Sequence, residues 1–300
     1  MSFPEKRKRR FGDRVDGHRL KNGPSMNVLM GLLYPNRCDC EVSARYEMDV
    51  TDLLEYIRKR NEKNPECKIK FFHCFITALV RTLCERPKLL RFLRGGRMYE
   101  RDEITVSFVA KRKFADNAQE SLLTYKARKD DSLNNVSRFI TGEVSEIRKE
   151  VPKTNGAEDI IESVTKIPLF FRKIIVRTGR ALDYWGILPK GLTHGDPAFS
   201  TVLVANLGSI RCPSAYHHLN NYGSCSIMIT IGTLEKKNFL QEDGSVITKD
   251  IVEITATCDE RIADGFYFSK SMKLLERILK TPELLEKPFA EESGIDEAIR

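Results

Sequence analysis

Residues 42–49, Val-Ser-Ala-Arg-Tyr-Glu-Met-Asp, alternate apolar and polar side chains and place Val42, Ala44, Tyr46 and Met48 on one face. A period of two predicts a half-buried strand. It runs into 49–61, where Asp49 or Thr51 can cap a helix that turns Leu53, Leu54 and Ile57 inward. In 68–87, Phe71, Phe72, Phe75, Ile76, Leu79, Val80 and Leu83 recur at helical spacing until Pro87. So broad an apolar face predicts a central, buried helix. Strands are predicted at 103–111 and 119–128, followed by a polar amphipathic helix near 132–150. Two more helices fit 157–190, with Phe171, Ile174, Ile175, Leu182 and Trp185 in a stripe beside Arg172, Lys173, Arg177 and Arg180. A basic amphipathic helix can lie on a membrane, but single stripes normally pack on a domain or subunit, which is the expectation here. Strands return at 199–208, 225–232 and 245–259, and a last helix at 266–279 turns Phe268, Met272, Leu275 and Leu279 inward. This mixture of helices and strands predicts an α/β sandwich.

Three hundred residues with 41% hydrophobic content suit one large domain. No signal-peptide core and no run of ~20 uncharged apolar residues is present, so a cytoplasmic protein without a transmembrane segment is expected. The eight cysteines show no Cys-x-x-Cys spacing, which predicts neither disulfides nor a metal site. The net charge of +8 is concentrated in Lys6, Arg7, Lys8, Arg9 and Arg10. With no interleaved aromatics, that run predicts a solvated, flexible tail over 1–24 in front of a domain spanning 25–300, and no nucleic-acid partner.

Chemistry concentrates at 255–270, where a strand runs into a turn and a helix with Asp259, Glu260, Arg261 and Asp264 at the corner. Taken in order, the helix at 49–61, the Phe-rich helix ending in Cys-Glu-Arg-Pro, the turn Asn206-Leu207-Gly208 and the corner Asp259 to Gly265 resemble a known family. It is the catalytic domain of the dihydrolipoyl acyltransferases of 2-oxoacid dehydrogenase complexes, which share the chloramphenicol acetyltransferase-like fold. The resemblance implies a two-layer sandwich, a mixed sheet with helices packed on it. It further implies a homotrimer with acyl-CoA and an acceptor, here unknown, meeting in a channel between subunits.

In that family the corner carries a His that takes the proton of the attacking thiol or hydroxyl, and a Ser or Thr before the Asn-Leu-Gly turn stabilises the oxyanion. Here Glu260 and Ala205 occupy those positions, while Arg261, Asp264, Gly265, Asn206 and Gly208 match. Arg261 and Asp264 are expected to hold the corner as ion-pair or hydrogen-bond partners. An ordinary Glu titrates near ~4.3 and a thiol near ~8.5, so proton transfer between them is uphill by roughly 5 to 6 kcal/mol unless burial raises the carboxyl. A relocated base is the other option, and His217 and His218 lie in the loop before the strand at 225–232. His73 reads as packing, and His18 and His194 join no recognisable group. Acyl-CoA-dependent transfer with an altered site, its activity weak or lost, is the resulting expectation. The alternative is a non-catalytic trimeric binding or scaffold module. The helical connection near 150–197 is longer than the family's usual one, which would remodel the acceptor end of the channel.

Overall fold

The computed structural model describes residues 3–4, 7–21, 25–111, 120–148, 163–193 and 196–295. Its strands are β1 (His18–Arg19), β2 (Glu41–Asp49), β3 (Arg91–Arg94), β4 (Arg97–Glu100), β5 (Thr105–Lys111), β6 (Glu120–Lys126), β7 (Val202–Asn206), β8 (Ile227–Leu240) and β9 (Val246–Asp259). Its main helices are α1 (Ser25–Leu33), α2 (Thr51–Lys63), α3 (Phe71–Glu85), α4 (Leu133–Arg148), α5 (Leu169–Trp185) and α6 (Gly265–Lys280). Six strands form one mixed sheet in the order β2-β9-β8-β7-β5-β6. The β5–β7 and β7–β8 pairs are parallel, and β2–β9, β8–β9 and β5–β6 are antiparallel.

Alternation gives this sheet two unlike faces. Phe108, Val204, Ile229 and Ile254 belong to the core shared with the helices. The other face carries Ser107, Thr230, Thr255 and Thr257. The Phe-rich helix α3 is buried throughout from His73 to Cys84, as its apolar girth requires. Asp49 braces the start of α2, its Oδ1 accepting from the Thr51 amide at 3.1 Å and hydroxyl at 2.7 Å. The two-layer α/β sandwich expected from the sequence is the observed fold.

Three features depart from expectation. A hairpin, β3 with β4, turns on Gly95 and Gly96, whose φ of 59° and 67° are left-handed and suit a tight two-residue turn. The expected flexible tail is docked over residues 13–20. Arg14 is buried, its Nη2 2.7 Å from Asp183 Oδ1 and its guanidinium over the rings of Phe92 and Tyr99. His18 bridges Asp13 and Asp102 at 2.7 and 2.8 Å, and β1 pairs with β4. A buried carboxylate partner and two aromatic faces hold a segment that its charge alone suggested was solvated. Lastly, the α5 stripe, expected to pack on the domain or on a subunit, is mostly uncovered within this chain, with Leu182 half-buried. Phe171, Ile174, Ile175 and Trp185 are exposed, and Asp183 is the buried residue of that helix. The portion of the expected helices at 149–162 lies outside the described residues, as does His194.

Candidate active site

β9 ends at Asp259, which is fully buried. Arg261 folds back onto it, Nε donating to Oδ1 and Nη2 to Oδ2, each at 2.8 Å, while Nη1 donates to the Tyr34 carbonyl at 2.8 Å. A bidentate pair of this kind fixes direction as well as distance. Burial works against the Arg261 cation, but the bond to Asp259 outweighs it and holds the guanidinium above its usual range. A second guanidinium, Arg37, approaches Asp259 Oδ2 with Nε at 3.4 Å. Burial drives Arg37 below the usual arginine range, with Asp259 opposing.

Arg37 also reaches the segment 212–226, donating from Nη1 to the Asn220 carbonyl at 2.5 Å and from Nη2 to the Gly223 carbonyl at 3.1 Å. Nearby, the Cys38 amide donates to Asn221 Oδ1 at 3.1 Å, and the Leu219 amide to Glu41 Oε2 at 2.8 Å. The other end of this strap is pinned to the polar face of the sheet. There the Ala215 amide donates to Thr230 Oγ1 at 3.0 Å, and Ser214 Oγ lies 2.7 Å from Thr255 Oγ1. His217 and His218 occupy the stretch between the two anchors. Both are exposed, their rings stack at 4.8 Å, and His217 Nδ1 lies 2.8 Å from the His218 carbonyl oxygen.

Glu260 is held by its backbone, its amide donating to the Cys40 carbonyl at 2.9 Å, while its side chain is exposed. Asp264 differs from the expected corner lock. It is no partner of Arg261; it caps α6, Oδ1 accepting from the Tyr267 amide at 2.8 Å. An added Cβ on Gly265 would meet nothing within 4 Å, so packing within one chain does not require that glycine. Cys258, beside Asp259, is buried and its thiol is pushed up to about 12, which removes it as a nucleophile. Among the described residues no group of three or more His, Cys, Asp or Glu could hold a metal ion.

Ala205 sits near the end of β7 in register with Thr230 on β8, which is in register with Thr255 on β9. The Thr230 hydroxyl is committed, donating to the Ala215 carbonyl at 2.7 Å. Just beyond, the Asn206 carbonyl accepts from the Ser209 hydroxyl at 2.7 Å. Gly208 is sterically obligatory, since a Cβ there would lie 2.3 Å from the Gly232 carbonyl oxygen. From the level of Ala205 to Asp259 is four residues along β9 and two strand spacings across, or roughly 16 Å by standard strand geometry. The chain therefore builds both halves of the expected site but does not bring them together.

Residues 190–286 match the family of 2-oxoacid dehydrogenases acyltransferase (catalytic domain). The resemblance to that family holds. A probable dihydrolipoamide acetyltransferase from Listeria monocytogenes superposes with a TM-score of 0.56 at 16% identity, over 89% of this chain and 96% of that one. The dihydrolipoamide acetyltransferase of Azotobacter vinelandii, in which a serine, a histidine and an asparagine were investigated for catalytic roles, gives 0.55 at 12%, over 87% and 92%. A catalytic core of the 2-oxoacid dehydrogenase multienzyme complex from Thermoplasma acidophilum gives 0.53 at 14%, over 88% and 98%. No curated protein matches by sequence. At these identities the solved structures establish the acyltransferase fold.

Arg37 is the residue of this corner that the sequence reading missed. It lies in the aperiodic stretch Pro35-Asn36-Arg37-Cys38, and its role exists only because the fold brings residues 37, 220 and 259 together.

Proposed function

We infer that the chain is a cytoplasmic acyl-CoA-dependent acyltransferase-family protein that acts as a homotrimer, with its chemistry weakened at two positions. The observation that carries this is the separation of roughly 16 Å between the corner and the Asn206-Leu207-Gly208 turn, each rigidly framed in one chain. One chain cannot offer both to one substrate, whereas two adjoining copies can. In such a site an acceptor thiol or hydroxyl attacks the thioester carbonyl, a base takes its proton, and the tetrahedral oxyanion collapses to expel the CoA thiolate. Glu260 stands where the base would, exposed within one chain, so a neighbouring subunit must exclude water from it. Ala205 offers no hydroxyl to the oxyanion, a loss worth about 10² to 10³ in rate. Asp259, Arg261 and Arg37 act as positioning residues that aim Glu260.

A thiol-release assay with acetyl-CoA tests this, run beside sedimentation equilibrium on the same samples. The expected result is a trimer with slow turnover that Glu260→His with Ala205→Ser accelerates. Turnover lost in His217→Ala/His218→Ala would instead make the strap histidines the base. A monomer would remove the shared site altogether. The exposed Glu260 and the missing hydroxyl favour a second reading, a trimeric binding module without catalysis. That reading predicts no turnover in any variant, but a melting temperature raised by CoA.

A further inference from the structure

Outside this site, and independent of the function proposed for it, α5 presents a surface that the fold leaves uncovered. Its 17 residues span ~26 Å and, at 3.6 residues per turn, divide into three sides. One side meets the body through Asp183, whose carboxylate holds Arg14 and Arg94. The second carries the exposed cations Lys173, Arg177 and Arg180. The third is apolar and faces solvent, with Phe170 at 69%, Phe171 at 55%, Ile174 at 47% and Trp185 at 63% exposure. Asp183 is the helix's sole acid and is buried, so its outward charge is wholly positive.

A second apolar surface adjoins it. In α1, which has no charged residue, Leu29, Leu32 and Leu33 are 48%, 66% and 63% exposed. The two helices meet at the β3–β4 turn, where a Cβ on Gly96 would lie 3.3 Å from Leu32 and one on Gly95 2.5 Å from the Tyr184 carbonyl oxygen. The aromatic pair Tyr184 and Trp185 sits at this junction, with ring centroids 5.4 Å apart.

The charge decides between occupants. A twofold contact with a second copy would set Lys173, Arg177 and Arg180 against their own duplicates, and a neighbour in the trimer proposed above would have to meet all three with acids that α5 itself lacks. A bilayer bearing anionic lipid accepts both features, because the apolar side sinks to the headgroup boundary while the cations reach lipid phosphates and Tyr and Trp take interfacial positions. No described helix is long and apolar enough to cross a membrane, so the contact is with the surface. We propose that α5, with α1 beside its C-terminal end, docks this protein onto an anionic membrane surface.

Trp185 is the chain's single tryptophan, so its emission reports the contact directly. The full-length chain is titrated with phosphatidylcholine vesicles and with vesicles containing phosphatidylglycerol. The expected result is a shift of emission to shorter wavelength with the anionic vesicles, binding roughly a hundredfold stronger than to the zwitterionic ones from three cations at the surface, and its loss at high salt. Lys173→Glu/Arg177→Glu/Arg180→Glu should abolish the shift. Phe171→Ser/Ile175→Ser should do the same with an unchanged melting temperature, since both side chains are exposed. No shift with anionic vesicles would overturn the proposal, as would equal binding to both lipids. Emission that changes with protein concentration in the absence of lipid would also overturn it, by assigning the face to a second copy.

Discussion

Replacing Asp259 by Asn would leave Arg37 and Arg261 around a neutral amide, with both guanidiniums still buried. Unpairing a buried charge typically costs about 3 to 5 kcal/mol, so Asp259→Asn should lower the urea midpoint severely. Glu260→Gln, one residue away but exposed, should change stability by less than about 0.5 kcal/mol. Equal effects in the two variants would remove the distinction between frame and reagent. A second residue-scale prediction concerns His73, whose Nδ1 lies 2.9 Å from Ser137 Oγ between α3 and α4. Burial, aided by Lys70, pushes it from 6.5 down to about 4. The unfolded chain then binds a proton below 6.5 that the folded chain refuses until about 4, so stability is full above that window and is lost as pH falls through it. At about 1.36 kcal/mol per unit the loss approaches roughly 3 kcal/mol. Urea midpoints between these pH values should fall in the wild type and flatten in His73→Gln. His73 was legible as packing because its neighbours on the helix are apolar. Asp264 was misread because a cap and an ion-pair partner look alike until the helix start is placed.

At the scale of elements, the long periodic segments were legible and the short ones were not. β2, α3 and β9 carry enough turns or alternations to declare their period, whereas β3 and β4 have 4 residues each and show it only through Gly95-Gly96. The strap at 212–226 has no period, because its shape comes from hydrogen bonds to distant strands. Two predictions belong here. Gly208→Ala must push β7 away from the Gly232 backbone, and should cost more than about 2 kcal/mol while Gly265→Ala costs under 1, checked by thermal melting. Removing residues 1–10 should lower the melting temperature only slightly, through loss of the partly buried Phe3, but removal through residue 21 should lower it by many degrees. The second truncation strips Arg14 from Asp183 and β1 from β4. Equal melting of the two truncated chains would show that the docked stretch contributes nothing.

At the scale of the whole molecule, the β8–β9 hairpin runs past the sheet and shows solvent an apolar tip, with Leu240 76% and Val246 60% exposed. Such a tip is normal for a subunit contact and unfavourable on a free monomer. Leu240→Asp with Val246→Asp should therefore shift the sedimenting species from the proposed trimer toward monomer, with secondary structure intact by circular dichroism. A mass unaffected by both changes would place the subunit contact elsewhere. A trimer is expected only through family resemblance, since a sequence marks an apolar side chain without saying whether the fold or a neighbour covers it.

The corner also sets a timetable for synthesis. β2 is an edge strand, and its partner β9 lies about two hundred residues downstream, Asp49 pairing with Ile251 and Glu41 with Asp259. Arg37 likewise waits for Asn220, Gly223 and Asp259. At ~5 to 20 residues per second, a ribosome takes roughly 10 to 40 s to deliver those partners after β2 has emerged. Through that interval β2 is an unpaired strand with one apolar face, open to any other nascent chain, while the frame around Glu260 is among the last parts of the domain to close. A protein built in this order should depend on chaperones during translation more than its final stability suggests, and chains released before β9 would carry the hazard without ever gaining the site.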